Sequence, residues 1–543
     1  MKAVAILFGT VAFHSVCALP AHAQQIAPPA HAAPAPLWGT LSSGPYAVGY
    51  REIFATDSSR TWRSTRPYGR PFTPDLEGRP ILVSIWYPAS LAAGARQMRY
   101  EDYITMRAPP RFADLQKALE ARDRMITRLS VPPDRTQDLL RTPVNAFANA
   151  SAAPGQFPLV LYFGGLDDAV TVTSFVTAEY LASHGYVVAL VPLLGPTSDQ
   201  MDQALSNTDV ETTVRDMESA WSILRNQPNV DPEKLGVAGH SLGGIEALLF
   251  AMRNADVSAI AGLDGTYGFA GSSIHLLTDA PDYSPRNMRA ALLDLRRPDG
   301  NEGSTLDLSA VNAFHFSDRT LVTIQKVHHS DFTSFAMIAE TFHLGNSPEW
   351  IEKYGWTRET GAQGYQVVCN VVRDFFDETL KKDPRAGKRL LADAMRASGP
   401  VVRSEPALEA PPSAMEIARI MQQHGFTAAT AIIDRLRRAA PDETVVKESA
   451  LNSFGYSLMG ESRFTDAVNV LKLAAYLYQK SANAEDSLGD AYLAAGQRDE
   501  ARHAYEKALA LVADDPGLDA AGKKAFASTE QGKVNQLGHT TPR

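Results

Sequence analysis

The stretch KLGVAGHSLGGIEALLFAM, residues 234–252, decides how this chain is read. Its first six residues form a short apolar run of the kind that fills a strand buried on both faces. Its last eight have the composition of a buried helix. Between them stands Gly239-His240-Ser241-Leu242-Gly243-Gly244, a Gly-x-Ser-x-Gly turn joining strand to helix. That context is a nucleophile elbow. The sharp turn holds Ser241 in a strained conformation with its hydroxyl exposed at the sheet edge. Gly239 and Gly243 are small because any side chain there would collide across the turn. The helix that begins behind Ser241 offers free N–H groups and a partial positive charge where an oxyanion would form.

Strand-like and helix-like segments alternate on both sides of the elbow. SIWYPA ends a β-branched and aromatic run at 81–89, FPLVLYFGG fills 157–165 and YVVALVPLL fills 186–194. VSAIAGLD at 257–264, RAALLDL at 289–295 and TLVTIQKV at 320–327 follow it. A helix over about 172–184 ends at Gly185. Val210, Val214, Met217, Trp221 and Leu224 form one apolar helix stripe. The alternation predicts an α/β fold with a doubly wound, mostly parallel sheet. Polar insertions at 96–150, 193–209 and 267–288 are expected to cover the site.

The flanks read differently. Lys2, an apolar run and Ala21-His22-Ala23 have the layout of a secretory signal peptide, expected over 1–23. A Pro/Ala-rich linker is expected over 24–37, the α/β body over 38–396 and a second linker over 397–413. From 414 to 543 the chain reads as a small all-α domain. Phe454-Gly455-x-x-Leu458 recurs 34 residues later as Leu488-Gly489-x-x-Tyr492, and Ala467 as Ala501, which is a tetratricopeptide-like period. Such repeats suggest a protein partner. The chain has 543 residues, 52 basic and 61 acidic, with no basic tract, so nucleic acid is not an expected partner. Of two cysteines, Cys17 would leave with the leader and Cys369 would stay a lone thiol. No metal cluster, dinucleotide loop or phosphate loop stands out, and no cofactor is expected. No later stretch is long and apolar enough to span a membrane.

The segments at 84–89 and 157–166, LASHGYVVA at 181–189, GHSLGG at 239–244, GLD at 262–264 and HSDFTSF at 329–335 together resemble the α/β-hydrolase fold. Within it they are similar to the platelet-activating-factor acetylhydrolase and dienelactone-hydrolase branch, over roughly 75–380. Dienelactone hydrolases carry a cysteine nucleophile where this chain has Ser241, so lactonase chemistry is not implied. The resemblance implies an order of Ser, acid, His along the chain. Its pattern of a histidine with aromatics three and six residues on fits His329, Phe332 and Phe335, with His328 as the alternative base. The acid is expected at Asp264, directly after an apolar run, with Asp299 after the next strand as the alternative. The oxyanion donors would be the backbone N–H groups of Leu242 and, carried over by position, Leu166. The expected function is an exported serine hydrolase acting on small-molecule or lipid carboxylic esters. A peptidase of the same fold, or a binding module working through its helical repeats, is the alternative.

Overall fold

A computed structural model describes residues 36–62, 78–105, 107–166, 170–198, 202–271, 273–398, 402–412, 414–439 and 446–538. The expected leader with its Ala23 cleavage point, Cys17 and nearly all of the first linker lie outside these residues. The chain divides into two compact units, Met1–Pro406 and Ala407–Arg543.

The first unit is built on one sheet. Its strands are β1 (Ala47–Asp57), β2 (Arg79–Ser90), β3 (Gln97–Arg99), β4 (Pro143–Ala148), β5 (Ser151–Ala152) and β6 (Phe157–Phe163). They continue with β7 (Val187–Leu190), β8 (Val230–His240), β9 (Val257–Leu263), β10 (Ala291–Arg296), β11 (Arg319–Thr323) and β12 (Val402–Glu405). The order across the sheet is β12-β11-β10-β9-β8-β6-β7-β2-β1-β4-β3, with β5 beside β2. The block from β11 through β7 is parallel, whereas β12, β2 and β3 run antiparallel to their neighbours.

Strand β6 shows why the central strands are apolar throughout. Leu159, Leu161 and Phe163 point into one core while Val160 and Tyr162 point into the other. Side chains alternate across a strand, so covering both faces with helices demands apolar residues at every position. The apolar stripe Val210, Val214, Met217, Trp221 and Leu224 lies on the helix Asn207–Leu224 and packs into the same core as Leu159. Gly185, at φ +90°, follows the helix Val170–Ser183 and takes the chain into β7.

Several boundaries differ from the sequence reading. Strand β11 ends at Thr323 rather than 327, because the chain leaves the sheet to carry the next turn over its C-terminal edge. The insertion at 96–150 holds β3 and β4 besides helices, and β4 extends the sheet parallel to β1. The expected second linker contributes β12, whose backbone pairs with β11 from Arg319 to Val322. A short edge strand of this kind gives partners to the exposed N–H and C=O groups of its neighbour.

The helix after the elbow, Leu242–Arg253, is buried almost along its whole length. It carries Glu246 into the core, where Gln203 Nε2 donates to its carboxylate. Burial above all, and then the charges of Asp216 and Asp209, push the Glu246 carboxyl up to about 8 from its ordinary 4.5. A folded-state pKa above the unfolded one means the unfolded chain releases this proton first. The group's contribution is therefore complete below about 4.5 and is lost as pH rises through about 8. Glu246→Gln should gain stability on the wild type as pH rises from 5 to 8, read as the difference in thermal midpoint. A difference that stays constant with pH would contradict the assignment.

The second unit is all-α. Its helices Glu448–Gly460 and Ala482–Ala494 begin 34 residues apart, as do their partners Phe464–Leu477 and Arg498–Leu511. A Cβ on Gly455 would stand 2.5 Å from Leu471 Cγ, and one on Gly489 would stand 2.4 Å from Tyr505 Cε1. These glycines let paired helices approach closely at equivalent places, which is the packing duty behind the sequence period. Among the described residues no helix is long and apolar enough to cross a membrane. Cys369 is buried in the first unit, and burial pushes its thiol up to about 12.

Candidate active site

Ser241 follows β8 with φ 55° and ψ −122°. A side chain in this region costs about 1–3 kcal/mol and persists only where its surroundings enforce it. The enforcement is visible. Ser241 N–H donates to Leu263 O at 3.2 Å, and its carbonyl accepts from Thr266 N–H at 3.0 Å and Gly244 N–H at 3.1 Å. A Cβ on Gly239 would sit 2.2 Å from Gly243 O. One on Gly243 would sit 2.4 Å from the carbonyl oxygens of both Phe163 and Gly164. The second contact also draws the loop after β6 against the N-terminus of the elbow helix. Leu166 lies half-buried in that loop, and Leu242 is the first residue of the helix, where N–H groups have no partner within the helix. Asp167 to Ala169 lie outside the described residues.

Three side chains from three strand ends meet at the elbow. His329 Nε2 is 2.9 Å from Ser241 Oγ. His329 Nδ1 is 2.5 Å from Asp264 Oδ2. Asp264 directly follows β9 with φ 48°, fully buried, and its own N–H donates to Leu295 O at 2.7 Å. An imidazole bonded in this way holds its proton on Nδ1 and presents the bare Nε2 to the serine hydroxyl, which is the arrangement general-base catalysis needs.

The alternatives fall elsewhere. Asp299 is exposed in the turn after β10, where its carboxylate accepts from Leu306 N–H at 2.9 Å. His328 points away from Ser241. Its Nε2 lies 3.1 Å from Glu302 Oε1, its ring is 4.5 Å from that of Trp350, and its Nδ1 accepts from Ser330 N–H at 3.2 Å. Burial lowers its pKa, and the neighbouring charge of Glu302 opposes the shift. His240 packs face to face on His329, with ring centres 4.7 Å apart.

Two residues bracing the site were not foreseen. Arg297, immediately after β10, donates its N–H to Asp264 Oδ1 at 3.0 Å, and its guanidinium Nη1 bonds to Asp264 Oδ2 and lies 2.8 Å from His329 Nδ1. Burial alone would raise the Asp264 pKa. The His329 hydrogen bond and the His329 and Arg297 charges outweigh it and hold the carboxyl below its ordinary value. Glu302 sits at φ 55° in the following loop and accepts His329 N–H at 2.8 Å. The segment RRPDGNEG reads as a solvated turn, and the only local hint is an arginine set directly after an apolar strand. Among the described residues, no group of three or more His, Cys, Asp or Glu is placed to hold a metal ion.

A family model described as Chlorophyllase matches residues 125–288, which include Ser241 and Asp264 but not His329. No curated protein matches the chain significantly. Among solved structures, a ferulic acid esterase from Streptomyces cinnamoneus is similar at 20% identity, covering 62% of this chain and 92% of that one with a TM-score of 0.44. The mostly parallel sheet, its strand order and the strand–turn–helix elbow give the first unit an α/β-hydrolase fold.

Proposed function

We propose that this protein is a serine hydrolase that cleaves carboxylic esters. The observation that carries the reading is the continuous line from Ser241 Oγ through His329 to the buried Asp264. The Chlorophyllase match over 125–288 supports ester cleavage as the reaction. Ser241 Oγ attacks the acyl carbonyl as its proton passes to His329 Nε2. The backbone N–H groups of Leu166 and Leu242 stabilise the tetrahedral oxyanion. His329 then returns the proton to the departing alcohol. Water, activated by the same imidazole, releases the acid and restores the serine. The N-terminal sequence supports export of the enzyme, and the 34-residue helical period supports a protein partner for the second unit.

The test is labelling of the full chain by a fluorophosphonate, together with turnover of p-nitrophenyl esters of graded acyl length. Labelling and turnover are expected. Folded wild-type protein that does neither overturns the reading. The acid is tested separately. Asp264→Asn keeps the shape but removes the charge that holds the Nδ1 tautomer, so kcat should fall by about 10⁴-fold with little change in KM. Asp299→Asn should change kcat by no more than about twofold, since surface substitutions rarely matter. The reverse ranking would move the acid to β10.

A further inference from the structure

Beyond Thr323 the segment that carries His329 has left the sheet. It turns at Lys326 with φ 55° and then starts the short helix His329–Phe332. The imidazole therefore takes its direction from whatever grips residues 327–329. Two consecutive residues of the loop after β10 do so. Buried Asn301 donates from Nδ2 to Val327 O at 2.9 Å. The carboxylate Oε1 of Glu302 accepts His329 N–H at 2.8 Å and lies 3.1 Å from His328 Nε2. Its Oε2 lies 4.0 Å from the Nε of Arg297, whose guanidinium touches both Asp264 and His329. The first N–H groups of a helix have no partner inside it, so the His329 N–H needs one from outside.

The place of Glu302 in its own loop is not what the local backbone asks for. Its φ of 55° and ψ of 24° lie in the left-handed region, which glycine, asparagine and aspartate visit and glutamate seldom does. Gly300 and Gly303, at φ 74° and 73°, flank it. The loop closes through backbone bonds, Gly300 N–H to Ser304 O at 2.9 Å and Gly303 N–H to Gly300 O at 3.3 Å. Neither bond uses the Glu302 side chain. A glycine would suit this turn better, so the strain points to what the carboxylate does for the catalytic segment.

We propose that Glu302 is a positioning residue for the reaction: by holding the His329 N–H it sets where the imidazole stands relative to Ser241. The inference rests on the ester-hydrolase reading. The His329 ring spans Ser241 Oγ at 2.9 Å and Asp264 Oδ2 at 2.5 Å, which leaves it little slack. A swing of the backbone at 329 draws the ring off one of these partners. A misplacement of about 1 Å at a reacting group costs about 10²-fold in rate. Glu302 acts through the His329 backbone, so the role calls for an acceptor oxygen at the right reach rather than for a negative charge.

The test uses the full chain and three substitutions. Glu302→Gly suits the φ of 55° and removes the carboxylate. Glu302→Asn also suits it but ends one methylene short. Glu302→Gln keeps the acceptor without the charge. Glycine and asparagine should lower kcat for p-nitrophenyl acetate by about 10–100-fold, with KM within about twofold and the thermal midpoint near that of the wild type. Glutamine should bring kcat back to within about threefold. The downfield proton resonance of the His329–Asp264 bond, recorded in a Ser241→Ala background, reads the same geometry without turnover. Glu302→Gly should shift or broaden it, and Glu302→Gln should leave it in place. Wild-type kcat in Glu302→Gly or Glu302→Asn overturns the proposal. A loss of kcat that follows the thermal midpoint through all three variants also overturns it, because it marks a merely structural loop. So does a loss in Glu302→Gln as large as in Glu302→Gly, which marks an effect of charge. A folded protein without ester turnover whose resonance still responds to Glu302→Gly would instead strike the ester-hydrolase reading and leave the positioning role standing.

Discussion

Ser241→Ala should abolish fluorophosphonate labelling and lower ester turnover by about 10⁶-fold, the scale on which losing the nucleophile of a serine triad is felt. The size follows from position. The Ser241 Oγ is the hydroxyl that His329 Nε2 reaches, at 2.9 Å. Removing it leaves only the oxyanion donors and substrate binding, which together retain about 10³–10⁴ over water. The fold should not suffer. Alanine has the same Cβ as serine, so the strained backbone at φ 55° is neither relieved nor worsened. The surrounding backbone bonds to Leu263, Thr266 and Gly244 do not involve the hydroxyl. A thermal midpoint close to that of the wild type, together with lost turnover, is the expected pair of results. Turnover at the wild-type rate would remove Ser241 from the chemistry.

The second large effect separates two adjacent histidines. His329→Ala should also cost about 10⁶-fold in kcat, because base and nucleophile act as a unit and losing either is about as damaging as losing both. It also leaves Asp264 facing Arg297 alone, in a pocket where the carboxylate is fully buried. His328→Ala should cost no more than about tenfold. That ring is engaged by Glu302 and Trp350, and its Nδ1 caps the short helix His329–Phe332. Losing a cap of this type costs about 1 kcal/mol of stability. Measuring kcat and thermal midpoint for both variants distinguishes the roles: His329→Ala loses nearly all activity, whereas His328→Ala loses stability and at most about tenfold in kcat. The opposite pattern would transfer the base to His328.

How much of this was legible depends on how local the signal is. The apolar run at 157–163 and the strand–turn–helix at the elbow are local. Each reflects burial on both faces or steric exclusion within a few residues, and both were readable. The glycines at 239 and 243 carried the turn because their missing Cβ atoms would have met Gly243 O, Phe163 O and Gly164 O. The sequence places the end of β11 four residues too far along, at 327 rather than Thr323. TLVTIQKV is apolar enough for a strand throughout, but Lys326 at φ 55° turns the chain away so that His329 can reach Ser241. The edge strands β3 and β12 are hidden in polar or Pro-rich stretches because edge strands need pairing partners more than apolar side chains.

The sequence by itself determined the fold class, the serine, and a short set of candidate bases and acids, because strand periodicity, turn sterics and residue chemistry act over short range. Only the tertiary structure decided which candidates meet. Asp264 and His329 lie 65 positions apart, and Ser241 and His329 lie 88 apart. Their approach is set by the side-by-side order β8-β9-β10-β11, which places consecutive strand ends at one edge. The same order turns Arg297 inward to Asp264 while leaving Asp299, two residues on, in solvent. Beyond an arginine set directly after an apolar strand, the local sequence does not mark that difference, because it comes from the neighbouring strand rather than from the turn itself.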